Sequence, residues 1–433
     1  MRIRRLRLEN FRCFEKLELN LEPDYTVLVG INGAGKSTIL DGLSIALGGY
    51  LTGFDGIKSN YILPEDAHYR TYASGSRIDV QEQYPVKIEA DAEIDVGKES
   101  INWCRSLNGK MRRTTHGQAT DIVEYARKLQ NALREGDKKC VLPLVSYYGT
   151  GRLWARKRNK KAVASDDRKM NRQMGYIDCL EPAANEKQMM AWFEEMTYIQ
   201  LQENCPIPEL EAVKRALSMC YMSLDPDILD AKFIYDVKSH ELEVVLYKTH
   251  DRVEKLPVRM LSDGVKGIIS LVSDIAYRMA LLNPNLLDDV LMTPGVVLID
   301  EIDMHLHPMW QKKIMSDLAR IFPNIQFVVT THSPNVLTNI KKEHIRILDH
   351  YCLYEPQNAT YGRSVEDILL EVMGVDVRPD QVKMILEKFS QAIDNENYQL
   401  AQQYLHEMKA ILGSNAKEVV ESQFTLDAEM LGE

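Results

Sequence analysis

The sequence lacks the features that mark secreted proteins, membrane-spanning proteins and proteins stabilised by a structural zinc ion. Its seven cysteines are scattered and form no C-x-x-C pair, which argues against a zinc ribbon and against a disulfide framework. No run of about 18 apolar residues occurs, and the amino terminus MRIRRLRLENF lacks the apolar stretch of a secretory signal. We therefore expect a cytoplasmic protein with no attachment to a membrane.

An excess of positive charge is also missing. Lys and Arg number 53 against 63 Asp and Glu, a formal net charge of −10, which excludes a uniformly basic nucleic-acid-binding protein but leaves room for a local basic patch. Low-complexity segments and fixed-period repeats are absent. With 45% hydrophobic and 27% charged residues, the composition is that of a globular protein. The length of 433 residues is enough for several domains, since a domain has roughly 100–200 residues.

A glycine-rich loop follows the first strongly apolar segment. The run YTVLV, residues 25–29, reads as a buried strand, and ILDGLSIAL has the pattern of a helix that begins at Lys36. Between them, residues 30–37 (the nucleotide loop) match G-x-x-x-x-G-K-[ST] at every fixed position. A glycine-rich turn ahead of an ordinary helix is the alternative interpretation.

The residue types of the nucleotide loop suit phosphate binding. Glycines let backbone N–H groups converge on phosphate oxygens at the positive end of a helix. Lys36 supplies a point charge to the terminal phosphates, and Ser37 offers a hydroxyl to Mg²⁺. The predicted ATP-binding residues here are Asn32, Gly33, Ala34, Gly35, Lys36, Ser37 and Thr38.

A later apolar strand ends in two carboxylates. The run VVLI, residues 296–299, is followed by Asp300 and Glu301, and ligands of α/β folds bind at the carboxyl ends of strands. Asp300 is predicted to hold Mg²⁺ with Ser37, and Glu301 to orient or deprotonate the attacking water. A strand that merely meets a surface turn is the alternative.

Two further motifs resemble those of ATP-binding-cassette (ABC) ATPases in their SMC/RecF-like form. LSDGV, residues 261–265 (the signature segment), resembles the family's signature motif, and THS, residues 331–333, follows a strand at the position of its switch histidine. The resemblance implies that Ser262 and Gly264 contact the γ-phosphate of ATP on the opposite subunit. It implies that His332 reaches the γ-phosphate as a neutral donor or a cation. A helix N-cap for Ser262 and a structural histidine are the alternatives.

A pair of histidines lies between these motifs. DMHLHP, residues 303–308 (the D-loop segment), contains His305 and His307. An H-x-H pair of this kind could supply two ligands to a metal ion. Metal sites need three or four ligands, however, and the sequence offers no further ligands at suitable spacing. We expect this segment to contact a partner subunit.

The resemblance extends over most of the chain. ENFRCF near the amino terminus is similar to the opening of SMC/RecF-like heads. DEIDMHLHPMWQ, THSP, YGRSVEDILLEVMG and the dipeptide Arg378-Pro379 are similar to stand-alone bacterial ATPases, which include the PtuA-type ATPases of Septu and retron anti-phage systems and Toprim-less relatives of the OLD family. The implied fold is α/β: a P-loop NTPase with an ABC ATPase (SMC/RecF-like) head, a helical lid insertion and a C-terminal helical hairpin.

This fold implies four parts. Residues 1–151 would form the N-terminal part of the head with a mixed sheet lobe, and residues 152–260 the lid. Residues 261–375 would complete the head, and residues 376–433 would form the helical extension. The lid shows no sustained heptads, so long coiled-coil arms are not expected.

The lid begins with the basic run RLWARKRNKK, residues 152–161, in which six cations surround Trp154. They could bind nucleic-acid phosphates beside one stacking ring, or they could form a solvated loop. The cations are Arg152, Arg156, Lys157, Arg158, Lys160 and Lys161, and Lys110, Arg112 and Arg113 could extend the patch.

The sequence departs from the family pattern in two ways. The region expected to carry the Q-loop glutamine is SYYGTGR, residues 146–152, which contains no glutamine. The contact with Mg²⁺ and the coupling to the lid would then come from Tyr148, from Arg152 or from elsewhere. Residues 376–433 also lack the clustered acidic motifs of a Toprim nuclease, so any nuclease would be a second protein.

Together the motifs imply an ATPase that binds ATP and Mg²⁺, and the family resemblance implies that it forms a homodimer or a higher homo-oligomer. Its expected catalytic residues are Lys36, Glu301 and His332. The resemblance implies the sensor ATPase of a bacterial anti-phage system that controls a separate HNH-type nuclease, in retrons together with a reverse transcriptase and its RNA–DNA. The alternatives are a RecF-like DNA repair ATPase, a transporter subunit and a small-molecule kinase.

Overall fold

The computed structural model describes residues 1–74, 77–95, 99–115, 117–153, 171–181, 186–376 and 378–431. They form two compact units, Met1–Ile368 and Leu369–Glu433. Among these residues, no helix is both long enough and apolar enough to cross a membrane.

The strands all belong to the first unit. They are β1 (Arg2–Phe11), β2 (Phe14–Asn20), β3 (Tyr25–Gly30), β4 (His68–Ser74), β5 (Arg77–Gln83), β6 (Val86–Asp95), β7 (Glu99–Leu107), β8 (Leu144–Tyr148), β9 (Ile228–Asp236), β10 (Glu241–Lys248), β11 (Arg252–Pro257), β12 (Gly295–Ile299), β13 (Ile325–Thr331), β14 (Ile345–Asp349) and β15 (Cys352–Tyr354).

The helices are distributed over both units. They are α1 (Lys36–Leu51), α2 (Thr120–Arg134), α3 (Glu186–Glu203), α4 (Pro208–Leu224), α5 (Asp263–Leu282), α6 (Pro308–Gln311), α7 (Ile314–Ile321), α8 (Pro334–Leu337), α9 (Val365–Glu371), α10 (Asp380–Asp394), α11 (Tyr398–Leu412) and α12 (Lys417–Leu431). Helix α1 begins at Lys36, as the sequence pattern predicts.

A six-stranded sheet forms the centre of the first unit, in the order β15-β14-β3-β13-β12-β8. All neighbours are parallel except β15, which pairs antiparallel with β14. Every residue of β8, β12 and β13 is buried, as expected for parallel strands covered on both faces. Strand β13 lies between β3 and β12, so the ends of these three strands meet at one edge, where ligands of such sheets bind.

The described part of the first unit also contains two antiparallel sheets. One has the order β2-β1-β6-β7 and the other β11-β10-β9, while β4 and β5 form a separate hairpin. The second sheet, together with α3 and α4, occupies the part of the chain predicted to be a helical lid. The described part of this region therefore contains a three-stranded sheet in addition to the expected helices.

The second unit contains three helices after α9, whereas the sequence predicted a hairpin of two. Residues 394–397 break the helical run: Glu396 adopts a left-handed conformation with φ 58°, and Asn397 caps α11 by accepting the N–H of Leu400 at 3.2 Å. The helices enclose a core of their own, formed by Ile385, Phe389, Ala392, Ala401, Leu405, Met408, Val419 and Leu426. The expected C-terminal helices are therefore present, with one helix more than predicted.

Candidate nucleotide-binding site

The nucleotide loop has the geometry of a phosphate cradle. Gly33 and Gly35 have φ of 82° and 103°, a region that disfavours residues with a Cβ atom. Asn32 and Gly33 are exposed, whereas Ala34 is buried. Lys36 is also buried, and its Nζ donates to the carbonyls of residues 30 and 31 at 2.8 and 2.9 Å. The loop is therefore exposed at Asn32 and Gly33, while the ammonium of Lys36 lies against its carbonyls.

Gly35 is further fixed by the turn that joins β1 to β2. A Cβ atom on Gly35 would lie 2.6 Å from Cζ of Phe14 and 2.9 Å from Sγ of Cys13. Thr38, at the start of α1, forms a side-chain hydrogen bond with Cys13. The ENFRCF segment thus packs directly against the nucleotide loop, which gives a physical role to a segment that the sequence identified by resemblance alone.

Asp300 connects the loop with the neighbouring strands. Ser37 Oγ donates to Asp300 Oδ2 at 2.8 Å, and Thr330 Oγ1 donates to Asp300 Oδ1 at 2.6 Å. The hydroxyl of Thr330 also accepts the backbone N–H of Glu301 at 2.8 Å. Thr330 was missed in the sequence because its role depends on β13 lying next to β12.

The oxygens of Ser37 and Asp300 are a donor set that Mg²⁺ prefers, and such ions commonly keep several waters and bind through one or two protein ligands plus phosphates. Their 2.8 Å separation brings a hydroxyl and a carboxylate to one point beside the loop. In the described part of the chain, no group of three or more His, Cys, Asp or Glu side chains is arranged to hold a metal. The pair therefore fits a metal bound together with a nucleotide.

Glu301 has an unusual backbone conformation. Its φ is 48°, in the left-handed region that is uncommon for residues other than glycine, and strain of this kind concentrates at functional sites. Glu301 is half-buried at the carboxyl end of β12. Two residues on, the carboxylate of Asp303 accepts the hydroxyl of Thr331 at 2.5 Å, so the carboxyl ends of β12 and β13 are tied together.

His332 shares one electrostatic environment with these groups. Burial is the main cause that lowers the pKa of its imidazole, and the ammonium of Lys36 lowers it further. The carboxylates that oppose this shift are Asp303, Glu301 and Asp300. His332 is therefore neutral at pH 7 and able to donate one hydrogen bond. The structure thus brings Lys36, Ser37, Asp300, Glu301 and His332 into one site.

The signature segment contacts the D-loop segment of the same chain. A Cβ atom on Gly264 would clash with the carbonyl oxygen of His305, whose φ is 61°. Ser262 occupies the N-cap position of α5, although its side chain makes no capping hydrogen bond within the described structure. It is exposed. The contact of Ser262 and Gly264 with a partner's ATP remains a prediction.

His307 has a local role in the D-loop segment. Its Nδ1 accepts the backbone N–H of Met309 at 3.3 Å, at the start of α6. A metal ligand would need that same nitrogen or Nε2 together with further ligands, so a capping role accounts for the ring as it stands.

The region without a glutamine contains two consecutive tyrosines at the end of β8. Tyr148, expected as one source of the metal contact, is buried, and its hydroxyl donates to Asp274 of α5 at 2.7 Å. Because this side chain lies inside the core, it does not supply the metal contact. Tyr147, which sequence reasoning did not single out, donates to Asp41 of α1 at 3.1 Å. Burial is the main cause that raises the pKa of its hydroxyl, and the carboxylates of Asp41 and Asp300 raise it further.

The basic run at residues 152–161 lies almost wholly outside the described residues, as residues 154–170 do, and the side chain of Arg152 is not described. Of the cations that could extend the run, Lys110 is paired with Glu82 at 2.6 Å. Arg112 and Arg113 are exposed. The predicted nucleic-acid contact stays a prediction.

Comparison with known proteins identifies the family of the chain. Residues 5–224, half of the chain, match a family model described as "AAA domain", and residues 227–338 match one described as "AAA domain, putative AbiEii toxin, Type IV TA system". The chain is 28% identical to the "Retron Vc95 probable ATPase" of Vibrio cholerae, over 85% of this chain and 78% of that protein. It is 23% identical to the "Septu protein PtuA" of Bacillus thuringiensis, over 91% and 90%.

A solved head domain of the SMC protein, bound to the C-winged helix domain of ScpA, has a TM-score of 0.48 and 17% identity over 82% of this chain and 97% of that chain. The prediction of a P-loop ATPase similar to retron and Septu ATPases is confirmed. The chain belongs to the AAA-domain family and is an ATPase.

Proposed function

We propose that this ATPase is a dimeric clamp with two composite ATP sites, and that it controls a separate nuclease effector in an anti-phage defence system. The observation that carries the ATP-hydrolysing part of the proposal is the chain of hydrogen bonds from Ser37 through Asp300 to Thr330. It joins the nucleotide loop to the end of β12, next to Glu301. Binding and hydrolysis groups thereby meet at one edge of the sheet.

Within one chain, each residue has a distinct task. The N–H groups of the nucleotide loop and the ammonium of Lys36 bind the phosphates. Ser37 and Asp300 would hold Mg²⁺, which when bound neutralises charge on the phosphate oxygens. Glu301 orients the attacking water and accepts its proton, and neutral His332 donates a hydrogen bond to the terminal phosphate.

The second half of each site would come from a partner chain. Ser262 is exposed at the start of α5, a helix of 20 residues whose amino end carries a partial positive charge that favours phosphate. Gly264 holds this end against the D-loop segment. Two chains facing each other would place the signature segment of one over the ATP of the other.

Mixing two inactive variants tests the composite site. Lys36→Ala removes the ammonium from the nucleotide loop, and Ser262→Ala removes the hydroxyl from the signature segment. In a mixed dimer both lesions fall in one site and the other site is intact, so ATP hydrolysis should return on mixing. If the mixture stays as inactive as its two components, each site is built from one chain and the clamp is wrong.

The defence role is supported by the names of the relatives, which are a retron ATPase and a Septu protein. It is tested by purifying the Glu301→Gln chain with Mg-ATP from its native host and identifying what co-purifies in stoichiometric amount. An HNH-type nuclease, or a reverse transcriptase with its RNA–DNA, supports the proposal. Recovery of DNA without any protein partner would instead favour a RecF-like repair ATPase.

A further inference from the structure

Strand β8 ends in two consecutive tyrosines that bond to two different helices. Tyr147 donates to Asp41 of α1, the helix that follows the nucleotide loop, at 3.1 Å. Tyr148 donates to Asp274 of α5, the helix that follows the signature segment, at 2.7 Å. The two tyrosines contact different helices because successive side chains of a strand point to opposite faces of the sheet. The end of β8 is therefore bonded to both helices.

The backbone of Tyr148 reaches the ATP site as well. Tyr148 pairs with Ile299 of β12, and its carbonyl oxygen accepts the backbone N–H of Asp300 at 2.8 Å. One residue thus bonds through its backbone to the residue predicted to hold the metal, and through its side chain to the signature helix. Any displacement of Asp300 along β12 acts directly on Tyr148.

The acceptor of the Tyr148 hydroxyl is itself firmly held. Arg278 Nε lies 2.7 Å from Asp274 Oδ2, and both side chains are buried. Arg278 also donates to the carbonyls of Gly175 and Ile177 at 2.9 Å. A buried, charge-assisted network of this kind is costly to break at any one member. The hydroxyl therefore meets a rigid partner, and a shift of β8 is passed to α5 instead of being absorbed by a mobile side chain.

The same network contains an unpaired atom. Asp274 Oδ1 is buried and has no hydrogen-bond partner within the described residues. Burying a carboxylate oxygen without a partner is unfavourable. The network is therefore not fully satisfied on the side of α5.

We propose that Tyr148 is a positioning residue that couples occupancy of the ATP site to the orientation of the signature helix α5, taking over the connection for which the sequence has no glutamine. The inference rests on the proposed dimeric clamp, because α5 matters for turnover only if Ser262 and Gly264 meet ATP on a second chain. Tyr148 does not touch the nucleotide. It bonds to α5 at Asp274, in the middle of the helix, and would act through the position of the whole helix.

The test uses Tyr148→Phe in the full chain, with Tyr147→Phe as the matched control. Tyr148→Phe should leave the affinity of a single chain for fluorescent Mg-ATP within about twofold, while kcat and ATP-dependent dimerisation fall by at least about tenfold. Tyr147→Phe should act on nucleotide affinity instead, because its partner Asp41 lies on α1. If Tyr148→Phe dimerises and turns over like the unmodified chain, the coupling role is wrong.

A hydrogen-exchange measurement separates coupling from a merely structural role. In the Glu301→Gln chain, Mg-ATP should slow amide exchange both in the nucleotide loop and in α5. With Tyr148→Phe added, the loop should still respond and α5 should not, whereas simple destabilisation raises exchange in α5 equally with and without ATP. If the tyrosine variant does not fold, the Glu301→Gln chain with Tyr148 intact still tests the inference. If amide exchange in its α5 does not respond to Mg-ATP, the inference is wrong.

Ser262→Ala serves as the reference for the underlying clamp. If Ser262→Ala leaves dimerisation and turnover unchanged, the proposed composite site has failed. If Ser262→Ala impairs both and Tyr148→Phe impairs neither, only the role of Tyr148 has failed. In the double variant, coupling predicts that Tyr148→Phe adds little to the loss caused by Ser262→Ala, because Tyr148 would act on turnover only by positioning the helix that carries Ser262 at its N-cap.

Discussion

Ser37 and Asp300 lie 263 positions apart in the chain, yet the hydroxyl of one is 2.8 Å from a carboxylate oxygen of the other. The bond joins the first turn of α1 to the end of β12. It is possible because β13 separates β3 from β12 by a single strand, so the two ends stand on one edge of the sheet. The predicted metal position is thus a consequence of strand order.

Replacing Thr330 by valine should weaken Mg²⁺-dependent hydrolysis by about 10–100-fold, the usual cost of losing a residue that orients a metal ligand. Valine has a similar shape but removes the bonds to Asp300 Oδ1 and to the N–H of Glu301. The measurement is kcat/KM against Mg²⁺ concentration. Thr338→Val is the control, because its hydroxyl also bonds within the protein but to the carbonyl of Asn335, and equal losses in both variants would contradict a specific role.

The Glu301→Gln variant should bind ATP with unchanged affinity and lose turnover by about 10²–10⁴-fold, the range for removal of a general base. Glutamine keeps the size of the side chain and removes its capacity to accept a proton. The variant should therefore accumulate with ATP bound, as measured by nucleotide content after gel filtration. Full turnover by this variant would exclude Glu301 as the residue that activates water.

The local motifs were accessible from the sequence because phosphate chemistry needs certain residues at fixed spacing. Lys36, Ser37, Asp300 and His332 all follow predicted strands, and the structure places them together. Thr330 could not be assigned in the same way. Its hydroxyl matters only because β13 lies next to β12, and pairing between strands that are distant in sequence leaves no local pattern.

Side-chain direction was likewise beyond the sequence. Tyr147 and Tyr148 are identical in type and adjacent, and only the orientation of β8 decides which one faces α1 and which one faces α5. The third C-terminal helix was missed for a different reason. Residues 394–397 are polar and compatible with a helix surface, so the break depends on the left-handed Glu396 and the cap by Asn397.

The two glycines of the nucleotide loop should respond differently to alanine. Gly33→Ala introduces strain from its φ of 82° but meets no atom within 4 Å, so it should cost about 1–2 kcal/mol of stability. Gly35→Ala adds overlap with Phe14 and Cys13 to a similar strain, so its loss should be larger and ATP binding should fall further. Urea unfolding and nucleotide titration of both variants check this order, and equal stabilities would show that the ENFRCF turn yields to the new methyl group.

The lowered pKa of His332 predicts a pH dependence of stability whose sign can be worked out. The unfolded chain takes up the proton near pH 6.5, whereas the folded chain takes it up only at a lower pH, because burial and Lys36 disfavour the cation. The contribution of His332 to the free energy of unfolding is therefore fully present above pH 6.5. It is lost as the pH falls towards the pKa of His332 in the folded chain. From about pH 7.5 to 5.5 the unmodified chain should lose more free energy of unfolding than His332→Gln. Urea unfolding of both chains at the two pH values measures the difference, and an equal loss in both would mean that His332 is not held neutral by its surroundings.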